Sequence, residues 1–358
     1  MEYLYESIFA HATFQFCGHI DEYLIRKTRN LTILRTITRS GIGDHALERY
    51  ECGQCVERRM LKSSQNIFLY YLLVFIHHNR ELWRCAKRDS GVTTMLFMHP
   101  IECFGMWVHR FFHRVKYVFW VWDWFPPVNI FLKIYAAILR FYIRRVDATC
   151  ALTTAIARKL GDNIPVAMLG MERQPCADQR PSSRRILVVG QLRHGQGIEE
   201  VLDFLGDHQE YTLSLIGAAA NGFEREITSR IHKLGIDDHI YFPNKFVSQD
   251  ELSKHATQCF CGIAIYSTEN DNFTHFADPG KVKSYIEMGL PVVMTRISEI
   301  VPYIEKFHAG EIIDSTRELS NALERINANP QLYAEGVQSF ASFFDADTYY
   351  DSKLGRLL

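Results

Sequence analysis

Long apolar runs are missing from this chain. The longest, Ile67 to Ile76, is about half of what a membrane-crossing helix needs. Asp123 and Lys133 interrupt the aromatic stretch around Trp120, so a membrane-spanning protein is not expected. No basic leader or small-residue cleavage site follows Met1, which predicts no secretory signal. Internal repeats and low-complexity segments are also absent. The nine cysteines contain a single CxxC, Cys52 and Cys55, with no second pair at metal-site spacing. Cys259 and Cys261 alternate along an expected core strand. Reduced, structural cysteines and a cytoplasmic compartment are therefore expected, with a zinc or redox role for Cys52 and Cys55 as the lesser alternative. A formal charge of −1, with the basic residues scattered and no recognised module, argues against nucleic-acid binding.

What is present is a globular composition, 47% hydrophobic and 23% charged, in a chain of 358 residues, long enough for two domains with separate cores. Strand-like and helix-like segments alternate. In the first half the expected strands are Leu4 to Ala10, Leu31 to Ile37, Val92 to Met98, Tyr117 to Trp122, Ala148 to Leu152 and Val166 to Leu169. The second half adds Arg185 to Val189, Tyr211 to Ile216, His239 to Phe242, Phe260 to Tyr266 and Pro291 to Met294, with helix from Glu311 onward. Such alternation predicts parallel sheets. Residues 39–65 fit the pattern least and are read as irregular. The polar segment 171–184 reads as a linker between a first domain, 1–170, and a second, 185–344. Residues 345–358 are expected to be a closing helix that packs back on the first domain.

Two segments carry the chemistry. In 276 FADPGKVKSYIEMGLPVVMT 295, Gly280 permits close approach of the backbone to a ligand, and Lys281 stands where a helix start already favours an anion. In 186 ILVVGQLRHGQGIEEVL 202, a strand runs into a turn with Gly190, Gly195 and Gly197 and then a helix. Either alone is also compatible with ordinary punctuation between elements of an α/β sheet. Together they suit a diphosphate.

These segments, with LIG at Leu215 to Gly217 and YFPNKFVSQDEL between them, resemble the large retaining family of GT-B glycosyltransferases, which includes many bacterial polysaccharide enzymes. The stretch 117 YVFWVWDWFPP 127 is similar to the end of that family's first domain. The resemblance implies an α/β fold of GT-B architecture, with two doubly wound Rossmann-like domains facing a central cleft. It implies transfer of a sugar from a nucleotide-sugar to an acceptor hydroxyl with retention, in surface polysaccharide or lipid-linked glycan assembly. The nucleotide-sugar is a co-substrate, and no cofactor is called for. By the resemblance, Gly190, Gln191, Arg193, Gln196, Gly280 and Lys281 line the diphosphate, with Gly217 in the same rim. Phe246 and Val247 hold the base, and Asn270 and Asp278 meet the donor sugar. Ser284 takes the place of the family's ribose-binding Glu, with Glu287 as the nearest substitute. The family's Arg and Lys in the first turn are Gln191 and Gln196 here, leaving Arg193, Lys281, Lys283 and, when protonated, His194 as cations. No Asp-x-Asp run occurs, since the sequence reads Glu269-Asn270-Asp271-Asn272, and no metal is called for. A non-catalytic partner subunit and a nucleotide-sugar epimerase are the alternatives.

In the first domain Asp123 follows a strand directly and either faces the acceptor or caps a turn ahead of Pro126 and Pro127. His99, at the end of another strand, and Gly18, in an early loop, are the other acceptor-side candidates. Residues 1–170 hold 22 Lys and Arg against 14 Asp and Glu. The clusters Arg110, Arg114, Lys116 and Lys133, Arg140, Arg144, Arg145 are interleaved with aromatics. That pattern reads either as contact with the inner, anionic face of a membrane or as a solvated helix face beside an aromatic core.

Overall fold

The computed structural model describes residues 3–12, 19–36, 45–64, 66–89, 91–161, 163–172, 184–220, 222–266 and 273–358. Gly18, Asn270 and most of the predicted linker, 173–183, lie outside the described residues. The chain divides into two compact units, Met1–Gly170 with Ala346–Leu358, and Met171–Asp345.

The first unit runs β1 (Tyr5–Ala12), α1 (Ile20–Lys27), β2 (Thr28–Arg35), β3 (His45–Glu51), β4 (Gln54–Leu61), α2 (Ile67–Arg88), β5 (Thr93–Phe97), α3 (Met106–Phe112), β6 (Val115–Val121), α4 (Ile130–Ile143), β7 (Ala148–Ala151) and α5 (Thr154–Leu160). Its seven-stranded sheet has the order β4-β3-β2-β1-β5-β6-β7. The central strands are buried on both faces, as β5 is at every residue, which is why they read as continuous apolar runs. The helices α2 and α4 start on side-chain caps: Asn66 accepts from the N–H groups of Phe68 and Leu69, and Asn129 from Leu132.

Two expectations need correction here. The sheet is mixed, because β3 pairs antiparallel with β2 and β4 with β3. Residues 45–61, read as irregular, form a hairpin whose turn places both Cys52 (φ 52) and Gly53 (φ 80) in the left-handed region. Its outer strand is mostly exposed and held by charge pairs, Arg49 with Glu57 at 3.3 Å and Arg58 with Glu48 at 3.3 Å. Apolar periodicity therefore had nothing to register. The second correction concerns Val166 to Leu169, which makes only an isolated bridge from Val166 to Ala151.

A closing helix, α13 (Ala346–Lys353), completes this unit. Tyr350 is fully buried between Tyr23 and Trp120, ring centroids 5.3 and 5.8 Å away, and its hydroxyl accepts the N–H of Gly170 at 2.6 Å. Asp351 accepts hydrogen bonds from Tyr23 and Lys27, both at 2.9 Å.

The second unit runs β8 (Arg185–Val189), α6 (Ile198–Asp207), β9 (Thr212–Ile216), α7 (Phe223–Leu234), β10 (Ile240–Tyr241), α8 (Gln249–Ala256), β11 (Cys261–Ala264), α9 (Gly280–Glu287), β12 (Val292–Thr295), α10 (Val301–Phe307), β13 (Gly310–Ile313), α11 (Leu319–Ala328) and α12 (Pro330–Phe343), before α13 (Ala346–Lys353) returns to the first unit. All pairings in its sheet are parallel, in the order β10-β9-β8-β11-β12-β13. The strand β13 lies where the sequence predicted helix. Its four residues, GEII, are too few to show a period. Strand order reverses between β8 and β11, and crevices at such reversals, outside the carboxyl ends of the strands, are where open α/β sheets bind ligands.

Candidate functional site

At that reversal the second unit brings its loops together by backbone contact. Gly190 ends β8 with φ +120 and Gly217 ends β9 with φ +152. A Cβ on Gly217 would stand 1.7 Å from the carbonyl oxygen of Gly190, so only glycine permits this approach. The N–H of Gly190 bonds the Ile216 carbonyl at 3.1 Å. Leu192 then exchanges bonds with the next loop, its N–H to Ala218 at 3.0 Å and its carbonyl to the N–H of Ala220 at 2.9 Å. Asn244, in left-handed backbone at φ 47, accepts the N–H of Ala219 at 2.9 Å and so ties in the segment carrying Phe246 and Val247. Phe246 is exposed and Val247 half-buried.

The start of α9 comes up to this rim. Its N-cap is Pro279, no side chain caps its first turn, and no carboxylate lies in that turn. The start of α6, by contrast, carries Glu199 and Glu200, and its N-cap Gly197 is packed so tightly that a Cβ would lie 2.3 Å from Cβ of Ile265. Of the two helix starts the sequence singled out, α9 is the better anion site. Tyr285 fixes α9 in place. Its buried hydroxyl accepts the N–H of Val189 at 2.9 Å and donates to the carbonyl of Ile263 at 3.0 Å, bridging β8 and β11. Gly262 makes room for that ring, since a Cβ there would lie 2.3 Å from Cγ of Tyr285.

One helical turn before Tyr285, Lys281 is half-buried. Its Nζ donates to Oε1 of Gln196 at 3.2 Å and lies 5.1 Å over the ring of Tyr266. Burial, together with the like charge of Arg193, lowers its pKa to about 8. The field of Arg193 also acts on the Tyr266 hydroxyl, which burial raises. Gly190, Gln196, Arg193 and Lys281 are thus gathered in one place, while the Gln191 side chain is exposed at its edge. Tyr285, Tyr266 and Asn244 belong to the same assembly and were not among the sequence candidates. Asn244, in a turn-forming dipeptide after a proline, was the one with a local signal.

Other candidates are placed differently. Lys283 does not join Lys281: it is buried, 2.7 Å from Oδ2 of the equally buried Asp278, with its ammonium 4.2 Å over the ring of Phe344. Burial lowers its pKa while Asp278 opposes the shift. A charge held inside by a partner is not a clamp on a ligand, and the same pair engages Asp278, expected to meet the donor sugar. His194 turns toward Glu199, at 2.7 Å, and Glu226, at 3.5 Å, and the hydrogen bond to Glu199 is the main cause raising its pKa. Ser284 is half-buried on α9, and Glu287 accepts the N–H of Glu172 at 3.1 Å.

In the first unit, His99 and Asp123 follow β5 and β6 and interact electrostatically with each other. Loss of solvation lowers the pKa of His99 and raises that of Asp123, and each opposes the other's shift. Among the described residues no group of three His, Cys, Asp or Glu side chains is arranged to hold a metal ion, and no helix is long and apolar enough to cross a membrane.

Residues 236–353 match the family model for the glucosyltransferase 3-like C-terminal domain. No curated protein sequence matches the chain. Solved structures similar to it include sucrose-phosphate synthase from Thermosynechococcus elongatus, 11% identical with a TM-score of 0.69 over 98% of both chains. Anabaena HepE, solved in complex with UDP-glucose, is 13% identical with a TM-score of 0.68, over 98% of this chain and 99% of that one. An α,α-trehalose-phosphate synthase (UDP-forming) from Burkholderia vietnamiensis is 11% identical with a TM-score of 0.65, over 98% and 99%.

Proposed function

We propose that this chain, a GT-B fold with a glucosyltransferase 3-like C-terminal domain, transfers a sugar from a nucleotide-sugar to an acceptor hydroxyl. The observation that carries the reading is the convergence of Lys281, Gln196, Arg193 and the Gly190 turn on the uncapped start of α9. Such a site stabilises the charge that grows on a departing diphosphate, which is the main demand of the reaction. In the free protein Gln196 holds the Lys281 ammonium. A diphosphate oxygen then takes the glutamine's place as acceptor, and Arg193 adds a second positive charge. Gln191 contributes hydrogen bonds at the rim, and Phe246 and Val247 flank the base. His99 and Asp123 act on the acceptor side. Retention at the anomeric carbon, operation without a metal or cofactor, and a place in polysaccharide or lipid-linked glycan assembly at the cytoplasmic face of a membrane are parts of the same proposal.

The complexes of HepE with UDP and with UDP-glucose make UDP-glucose the first donor to test. Isothermal calorimetry of the wild-type protein should detect UDP binding, and Lys281→Ala should weaken it at least tenfold while the protein stays folded. A folded protein that binds no nucleoside diphosphate would instead favour a non-catalytic partner subunit, because Gln191 and Gln196 supply no charge.

A further inference from the structure

The strongest feature outside the nucleotide site is an apolar face on the first unit. On α3, Phe111 is 82% exposed and Trp107 50%, and on α4 Phe131 is 78% exposed. The surface is continuous across three helices. Trp83 of α2 meets Phe112 of α3 with ring centroids 5.3 Å apart, and Trp107 meets Phe141 of α4 at 6.1 Å. Between α2 and α3 lies an open groove of about 420 Å³, lined by Phe75, Trp83 and Val108. A contiguous apolar surface of this kind on a water-facing protein marks an interaction site.

Charge says what kind of partner fits. Residues 104–147 contain seven Lys and Arg against two acids, Asp123 and Asp147, and of the seven Arg110 is paired with Asp147 at 2.6 Å. On α4 the exposed apolar row Ile130, Ile134, Phe141 is flanked, roughly 60–100° around the helix, by the exposed cations Lys133, Arg140 and, at its C-cap, Arg144. At the groove, Arg80 and Arg84 lie 2.9 Å from the buried carboxylate of Glu81, which Arg59, paired also with Glu57 at 3.7 Å, meets at 3.2 Å, so the two groove arginines share one carboxylate and leave positive charge in excess at the edge. A second copy of the chain docked face to face would set these cations against themselves. An anionic bilayer surface satisfies both parts, with aromatic side chains at the headgroup level and ammonium and guanidinium groups on lipid phosphates.

We propose that the α2–α3–α4 face is a docking surface for an anionic lipid bilayer. This rests on the membrane-side placement proposed above and supplies the residues for it. The full chain should co-sediment with vesicles of phosphatidylglycerol and phosphatidylcholine at least tenfold better than with phosphatidylcholine alone, and added salt should weaken the binding. The double variant Phe111→Ser, Phe131→Ser changes two of the most exposed side chains. It should lose vesicle binding at least tenfold with its UDP affinity and melting temperature unchanged. Lys133→Ser with Arg144→Ser should weaken binding and flatten its salt dependence. Equal binding to both vesicle types, or undiminished binding by the Phe variant, would overturn the proposal. So would a concentration-dependent dimer in sedimentation velocity that the Phe variant abolishes. UDP calorimetry on the same samples separates the two claims: vesicle binding without UDP binding retains the docking face and rejects the transferase, and the reverse result does the opposite.

Discussion

The proposed contact between Lys281 and a diphosphate would make nucleotide binding a proton-linked event. Its pKa is lowered to about 8 from an ordinary 10.5, burial being the larger cause and Arg193 the other. A diphosphate favours the ammonium form, so the pKa rises again in the complex, and binding takes up a proton wherever the free protein has lost it. The sign follows. At about pH 7 the free lysine is some 90% protonated, and at about pH 9 only some 10% is, so affinity should fall about tenfold over that range, or about 1.4 kcal/mol. Stability of the unliganded protein moves the other way. A lysine whose pKa is depressed on folding opposes folding while it is charged, so its contribution improves as pH rises from about 8 toward 10.5. Calorimetric titration of UDP in two buffers of different ionisation enthalpy, across this range, reads both affinity and proton uptake. Lys281→Met, measured at every pH, removes the lysine's share and leaves that of the ligand. Arg193→Ala should move the midpoint to higher pH, because it removes the like charge. A wild-type affinity that runs parallel to that of Lys281→Met between about pH 7 and 9 would refute the assignment of this ammonium to the diphosphate.

The buried pair Asp278 and Lys283 should behave as a structural unit: Asp278→Ala removes the carboxylate 2.7 Å from a buried ammonium and should cost about 3–5 kcal/mol in urea unfolding, while Asp278→Ala combined with Lys283→Met should recover much of it. Gly217→Ala drives a methyl group into the Gly190 carbonyl and should abolish UDP binding by calorimetry, with a lower melting temperature as the accompanying sign.

Much of the architecture was legible because strands buried on both faces, such as those at 93–97, 185–189 and 292–295, are unbroken apolar words between turn residues. The hairpin at 45–61 was not, because its outer strand is stabilised by cross-strand charges, which carry no apolar period. The short strand β13 escaped for want of length. In the site, Gly190 and Lys281 announced themselves through local chain geometry, a glycine after a strand and a cation at a helix start. Lys283, two residues on, looks the same in sequence. Whether a lysine on that helix meets solvent or a buried carboxylate depends on helical rotation and on which loop packs beneath it. Tyr285 and Gly262 are partners across 22 residues of intervening chain, a relation that neither residue states alone.

The first unit is discontinuous in the chain, since its core takes in Tyr350 from the closing helix. During synthesis the order of completion is therefore inverted. The second unit has all its strands once β13 has emerged, whereas the earlier-made unit still lacks the ring that fills the space between Tyr23 and Trp120. Until residues 346–358 leave the ribosome, the nascent first unit carries an open aromatic slot, the kind of exposed surface that chaperones recognise. Shortening the chain by its last helix would consequently harm the part of the molecule made first.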